Sequence, residues 1–114
     1  MKIFNYENVE FVVGENADDN YNILDKYTRE NPDFIWFHLN SFPSGYIIML
    51  ETLDNLDKNH SHNLLNYGAN LCKMQTKYKN LKDIYIIYTR LRKLKKTDCV
   101  GEVLVTGKCR RIKL

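Results

Sequence analysis

The sequence has 114 residues, of which 44% are hydrophobic and 27% charged, with a formal net charge of +3. These values are ordinary for a folded domain, so they exclude extended disorder and lead us to expect one domain over residues 1–114. The longest apolar runs have five residues, against roughly 20 for a membrane span, and no hydrophobic leader follows Met1. We therefore expect no membrane partner. We also expect a cytoplasmic, reducing location, in which the three cysteines stay unpaired.

The small net charge conceals an uneven distribution along the chain. Residues 1–62 contain 4 basic and 11 acidic side chains, a net charge of −7, whereas residues 63–114 contain 13 and 3, a net charge of +10. Basic segments are most often solvated faces, but an asymmetry of this size within one domain favours a polyanionic partner, nucleic acid above all.

The chain begins with a pattern typical of a β-hairpin followed by a helix. Two short apolar runs, residues 2–6 and 9–13, flank a turn-like Glu-Asn pair. Asn16 then makes a good N-cap, and acidic residues in the first turn favour the helix dipole. We predict a helix over residues 17–29 that ends at Asn31-Pro32.

Two strongly apolar runs, residues 34–39 and 46–50, predict the central strands of the fold. The link between them contains Pro43 and Gly45, as expected of a turn-rich loop. Because side chains alternate along a strand, Trp36 and His38 should face one side of the sheet while their neighbours face the other.

A second helix is predicted over residues 63–77, after a polar loop at residues 51–59 and a Ser61 N-cap. The face of this helix that is predicted to be buried carries only a glycine at position 68, and the missing side chain lets the helix lie close to a sheet. Such close packing would offset the cost of about 1 kcal/mol for a glycine in a helix. Lys73, Lys77 and Lys79 gather near its C-terminal end, where cations also complement the helix dipole.

The last third of the chain predicts more strands around a basic run. Residues 84–89 read as a strand, followed by five cations over residues 90–96 with two leucines between them. Residues 102–106 and 109–114 read as antiparallel strands that turn at Gly107-Lys108. The fold class is therefore α+β: a single domain with a largely antiparallel sheet of about six to seven short strands and two helices.

The order of these motifs resembles the NFACT-R domain, the RNA-binding module of ribosome-quality-control proteins of the NEMF and RqcH type. Residues 13–20 (VGENADDN) resemble the family's Gly-x-Asn-Ala-x-x-Asn opening, and residues 34–38 (FIWFH) its Trp-Phe-His strand. Residues 85–89 (YIIYT) and the following LKKT resemble its terminal strand and Lys-Lys loop. One departure is Tyr46, which stands where the family usually has a histidine.

The resemblance implies a non-catalytic domain, in a stand-alone form, that binds RNA and that has tRNA or ribosomal RNA as its ligand. Ribosome-associated proteins are further partners that it suggests. We expect lysines and arginines to contact phosphates and an aromatic and histidine pocket to stack or hydrogen-bond with bases. The candidate RNA-binding residues are Trp36, His38, Tyr46, Lys73, Lys77, Lys79, Arg90, Arg92, Lys93, Lys95, Lys96, Arg110 and Arg111.

Other functions remain open on the sequence alone. His38 would be a general base if Asp33 or Glu51 oriented it, although a single histidine in a strand is more often structural. No spacing indicates a metal site, a cofactor or a phosphate-binding loop. A protein-interaction module that docks on a ribosomal or host protein, and a DNA-binding module, are the alternatives.

Overall fold

The computed structural model describes residues 1–114 and begins with the predicted hairpin. Strand β1 (Lys2–Tyr6) pairs with β2 (Val9–Val13) in antiparallel register. The two turn residues, Glu7 and Asn8, have φ angles of 50° and 65°. Positive φ at both positions is the geometry that matches a two-residue turn to the twist of its strands.

Six further strands follow the hairpin: β3 (Ile35–Leu39), β4 (Ile47–Met49), β5 (Tyr85–Arg90), β6 (Leu94–Lys96), β7 (Val103–Val105) and β8 (Arg110–Lys113). Of these, β3, β4, β5 and β8 extend the hairpin into a six-stranded antiparallel sheet. The main sheet has the order β1-β2-β4-β3-β5-β8, and β6 pairs with β7 in a separate two-stranded sheet. The predicted α+β class is confirmed: the main sheet has six strands, within the predicted six to seven, and the separate sheet adds two more.

Alternation along the central strand β3 divides the core into two layers. Ile35, Phe37 and Leu39 belong to the cluster that the second helix covers. Trp36 belongs to a cluster on the opposite face, beneath the first helix and the β6–β7 sheet. The predicted partition of these side chains is therefore confirmed, and both faces of the sheet are buried.

The two helices begin at different kinds of cap. Helix α1 (Ala17–Glu30) starts as predicted, with Asn16 Oδ1 accepting a hydrogen bond of 2.8 Å from the Asp19 backbone N. Helix α2 (Lys58–Met74) starts earlier than predicted, because the carboxylate of Asp57 accepts a 2.8 Å hydrogen bond from the His60 backbone N. The predictions of a Ser61 cap and of a loop through residue 59 were therefore wrong.

Helix α2 packs closely on the sheet at Gly68. A Cβ atom added there would lie within 2.8 Å of three ring carbons of the fully buried Phe37. Because Gly68 has no side chain, the helix can lie close to β3, as the sequence predicted.

The predicted pairing of the last two strands was wrong. Strand β7 pairs with β6, whereas β8 pairs with β5 at the edge of the main sheet. This arrangement places Ile112 of β8 beside Ile86, where it adds to the α2-side core. Val103 and Val105 of β7 instead pack on the α1-side core. Each strand therefore covers apolar surface that a local hairpin would have left open.

No helix in the structure has the length and apolar character that crossing a membrane requires. The three cysteines are free: Cys72 is buried, while Cys99 and Cys109 are exposed.

Candidate nucleic-acid interface

A cavity of about 290 Å³ lies where β5 ends and β8 begins, on the side of the sheet that α2 covers. Part of its wall is formed by Ile35, Leu53, Tyr88 and Thr89. The other four of its eight lining residues are cations, and none is acidic: Arg90, Lys93, Lys108 and Arg110. We call this site the basic cavity. Lys108 was not among the predicted site residues, because the sequence placed it in the turn of a hairpin.

Most of the charge around the basic cavity is uncompensated. Arg90 lies 3.6 Å from a carboxylate oxygen of Asp33 and 3.4 Å from one of Asp54. The other three cations form no ion pair. Burial raises the pKa of the Tyr88 hydroxyl, and the nearby charge of Arg110 opposes that rise. The cavity therefore combines neutral and cationic groups, which suits an anion.

Two other predicted cations are held by acidic neighbours. Arg92 forms a bidentate pair with Asp33, through distances of 2.6 Å and 3.0 Å, which lowers the pKa of that carboxyl. Lys96 Nζ lies 2.8 Å from a carboxylate oxygen of Asp25 and 4.8 Å from the ring centre of Tyr21. These contacts link the basic run to the body of the protein and leave less charge for a ligand.

The remaining predicted cations lie apart from the basic cavity. Lys73 is in the last turn of α2, with Lys77 and Lys79 just beyond it. Lys77 lines a groove that Glu15 also lines, and Lys95 borders a different groove. The structure therefore does not gather all the predicted cations on one continuous flank.

The largest cavity, of about 580 Å³, lies on the other face of the sheet, above His38. We call it the His38 cavity. The β3–β4 loop forms one wall and the β7 strand, with the two residues before it, forms another. Its lining residues are Trp36, His38, Leu39, Asn40, Ser41, Phe42, Pro43, Ser44, Tyr46, Ile87, Gly101, Glu102, Val103 and Val105.

Trp36 and Tyr46 form a buried part of this cavity rather than an exposed stacking surface. They are 2% and 1% exposed, so neither presents an open ring face to a base. The expectation of a stacking surface on these two rings was therefore wrong, because both rings belong to the α1-side core. His38 is half-buried and stacks on Trp36, with ring centres 5.4 Å apart and planes 13° from parallel.

The imidazole of His38 has a defined hydrogen-bonding state. Burial lowers its pKa, although the carbonyls of Leu39 and Ser44 oppose that shift. Its Nδ1 lies 2.6 Å from the Leu39 carbonyl oxygen. In the neutral ring this contact requires a proton on Nδ1 and leaves the Nε2 lone pair free to accept.

Two tyrosines attach the β6–β7 sheet to the rest of the protein. The Tyr46 hydroxyl donates a 2.6 Å hydrogen bond to the Gly101 carbonyl, and burial raises the pKa of Tyr46. The Tyr21 hydroxyl contacts the carbonyls of Cys99 and Glu102 in the same turn. Gly101 has a φ of 87°, a conformation that side chains disfavour. Sequence reasoning missed Tyr21 as an anchor, because its partners are about 80 residues away.

The fold and these two cavities define an α+β binding domain with an uncompensated basic site. The chain belongs to the NFACT protein RNA binding domain family, whose model matches residues 2–111. Membership supports RNA as a partner and a non-catalytic role, and it confirms the resemblance seen in the sequence motifs.

The chain is also similar to the C-terminal part of the fibronectin/fibrinogen-binding protein from Streptococcus suis. The two share 21% sequence identity with a TM-score of 0.73. The similarity covers 92% of this chain and 41% of the other, so this chain spans less than half of that structure. At this identity the similarity shows the fold alone. None of the curated proteins matches the sequence.

Proposed function

We propose that this domain binds tRNA or ribosomal RNA, mainly by contacting phosphates at the basic cavity, in translation or ribosome quality control. The observation that carries this proposal is the presence of four cations and no carboxylate among the eight residues of that cavity. An RNA ligand, together with three free thiols, favours a cytoplasmic location. Ribosomal proteins near the bound RNA are candidate secondary partners.

Phosphate contacts of this kind give binding that depends on salt and little on sequence. Each cation that neutralises a phosphate releases condensed counterions, so affinity falls with added salt. Arg110 and Arg111 extend the charge along the edge strand β8. The exposed lysines at the end of α2 and in β6 would add weaker contacts at the margins of a large folded RNA.

The test is a binding titration of the protein with a tRNA transcript, a ribosomal RNA hairpin and a DNA duplex of matched length. We expect the two RNAs to bind more tightly than the DNA, with affinity that falls steeply between 50 and 200 mM salt. Tighter binding to DNA would favour the DNA-binding alternative. Weak binding that is insensitive to salt would instead favour a protein-interaction module.

A further inference from the structure

We propose that the His38 cavity receives one unstacked nucleobase of the bound RNA, and that Arg111 contacts the phosphate beside that base. This inference rests on the proposed RNA-binding function and assigns a separate task to each face of the sheet. The basic cavity contacts phosphates on the α2 side, while the His38 cavity contacts a base on the other side.

The composition of the His38 cavity fits a flat, uncharged ligand. None of its lining residues is a lysine or an arginine, and half of the fourteen are hydrophobic. Because burial lowers the pKa of His38, the imidazole favours its neutral form. A phosphate would find no cation inside this cavity and would face the carboxylate of Glu102, whereas a base would find the half-buried His38 ring and aliphatic walls. The volume of about 580 Å³ lies within the usual range for small-ligand sites.

Polar groups along the cavity can pair with the edge of a base. His38 Nε2 is an acceptor, for the reason given above. The only hydrogen bond of Asn40 runs from its backbone N to the Tyr85 carbonyl, so its side-chain amide offers a donor and an acceptor. Ser41 adds an exposed hydroxyl. Its backbone has a φ of 70°. Unpaired bases are commonly recognised in this way, by stacking on aromatic or histidine rings and hydrogen bonding at their edges.

Strand register places a cation beside this cavity. His38 pairs with Ile87 and Ile87 pairs with Arg111, so the three residues lie side by side across β3, β5 and β8. Two strand spacings separate His38 from Arg111, about 10 Å. The Arg111 guanidinium lies 5.0 Å from the ring centre of Tyr85 and forms no ion pair. It is therefore available to a phosphate next to the base.

The edge strand β8 also connects the two cavities. Arg110 and Arg111 are consecutive, so their side chains point to opposite faces of the sheet. Arg110 lines the basic cavity, and Arg111 lies on the face of the His38 cavity. No further strand pairs with β8. A single RNA strand that crosses this open edge would contact both arginines and leave one base at the His38 cavity.

The test compares two polymers that differ only in their bases. One is an oligoadenylate of about eight nucleotides, and the other is an abasic ribose-phosphate polymer of the same length. Because Trp36 is the only tryptophan in the chain and contacts His38, its fluorescence reports on the cavity. We expect the oligoadenylate to bind more tightly by about 5- to 150-fold, as a stacked base typically contributes, and to change the Trp36 emission.

Variants then assign the effect to the cavity. Asn40→Leu removes the amide and His38→Phe removes Nε2 while keeping a ring on Trp36. We expect each to lower oligoadenylate affinity at least 3-fold and to leave binding of the abasic polymer unchanged. Asn63→Leu, an exposed amide on α2, is the matched control and should change neither.

The two possible failures are distinguishable. Equal affinity for both polymers, with unchanged Trp36 emission, overturns the nucleobase site and leaves phosphate binding intact. If neither polymer nor folded RNA binds in a salt-dependent manner, the proposed function fails as well. Equal losses in Asn40→Leu and Asn63→Leu would also overturn the assignment to this cavity.

Discussion

Replacing Lys93 and Lys108 with alanine removes two of the four cations of the basic cavity. Both side chains are exposed and form no ion pair, so the change should not disturb the core. The contacts of Lys93 with Thr106 come from its backbone carbonyl, which alanine retains. The double variant should therefore fold normally and lose charge only at the proposed site.

The size of the effect follows from counterion release. Each phosphate contact contributes about 0.7 to 0.9 to the slope of log affinity against log salt. Four contacts correspond to a slope of about −3, so a fourfold rise in salt should weaken RNA binding about 60-fold. With two contacts the slope is about −1.5, and the same rise in salt should weaken binding only about 8-fold.

The assay is fluorescence anisotropy with a labelled tRNA transcript at several salt concentrations between 50 and 200 mM. The matched control is the Lys2→Ala, Lys82→Ala double variant, which removes two exposed, unpaired lysines at other places. Lys2 lies on β1 at the opposite edge of the sheet, and Lys82 lies before the other end of β5. Equal slopes in the two double variants would refute the assignment of the phosphate contacts to the basic cavity.

Three further predictions concern the scaffold of the site. Gly68→Ala should lower the free energy of unfolding by about 1–3 kcal/mol, because the new Cβ would clash with the buried ring of Phe37; chemical denaturation measures this, and a stabilised variant would contradict the packing argument. Tyr46→Phe should cost about 0.5–1.5 kcal/mol and speed hydrogen exchange in the β6–β7 sheet, since the bond to Gly101 is lost; unchanged exchange would show that this bond does not anchor the sheet. Because the folded state lowers the pKa of His38, protonation favours the unfolded state. The free energy of unfolding should therefore fall as the pH drops through about 6.5, and it should fall less in His38→Gln. Identical pH profiles in parent and variant denaturation curves would count against burial of this imidazole.

Local signals in the sequence predicted most of the elements correctly. The Glu7-Asn8 turn, the Asn16 cap and the alternation around Trp36 are short-range features, so the structure reproduces them. The prediction failed at the start of α2, where Asp57 and Ser61 are both capable caps. Of the two, only Asp57 accepts a hydrogen bond from the backbone N three residues later, that of His60.

Pairing between distant strands was not predictable from local patterns. The sequence around Gly107 reads as a hairpin, but the two strands on either side join different sheets. The reason is that each strand covers a different exposed apolar surface, and those surfaces exist only once β3 and β5 are paired. For the same reason Lys108 was missed as a member of the basic cavity.

In the candidate site too, some features were predictable from the sequence and others depended on tertiary contacts. Residue types alone indicated an excess of cations in the second half of the chain and a conspicuous Trp-x-His pair. Tertiary structure decided which cations stay uncompensated, because acids from the first half, such as Asp33 and Asp25, reach Arg92 and Lys96.

By itself, the sequence determined the α+β class, the two faces of the central strand and the family to which the chain belongs. These depend on side-chain alternation, capping and motif order, which act over a few residues. Only the tertiary structure decided that Trp36 and Tyr46 are buried and that Arg110 lines the basic cavity while Arg111 lies on the other face of the sheet. Burial and charge compensation depend on contacts between segments far apart in the chain, and those contacts form when the sheet assembles.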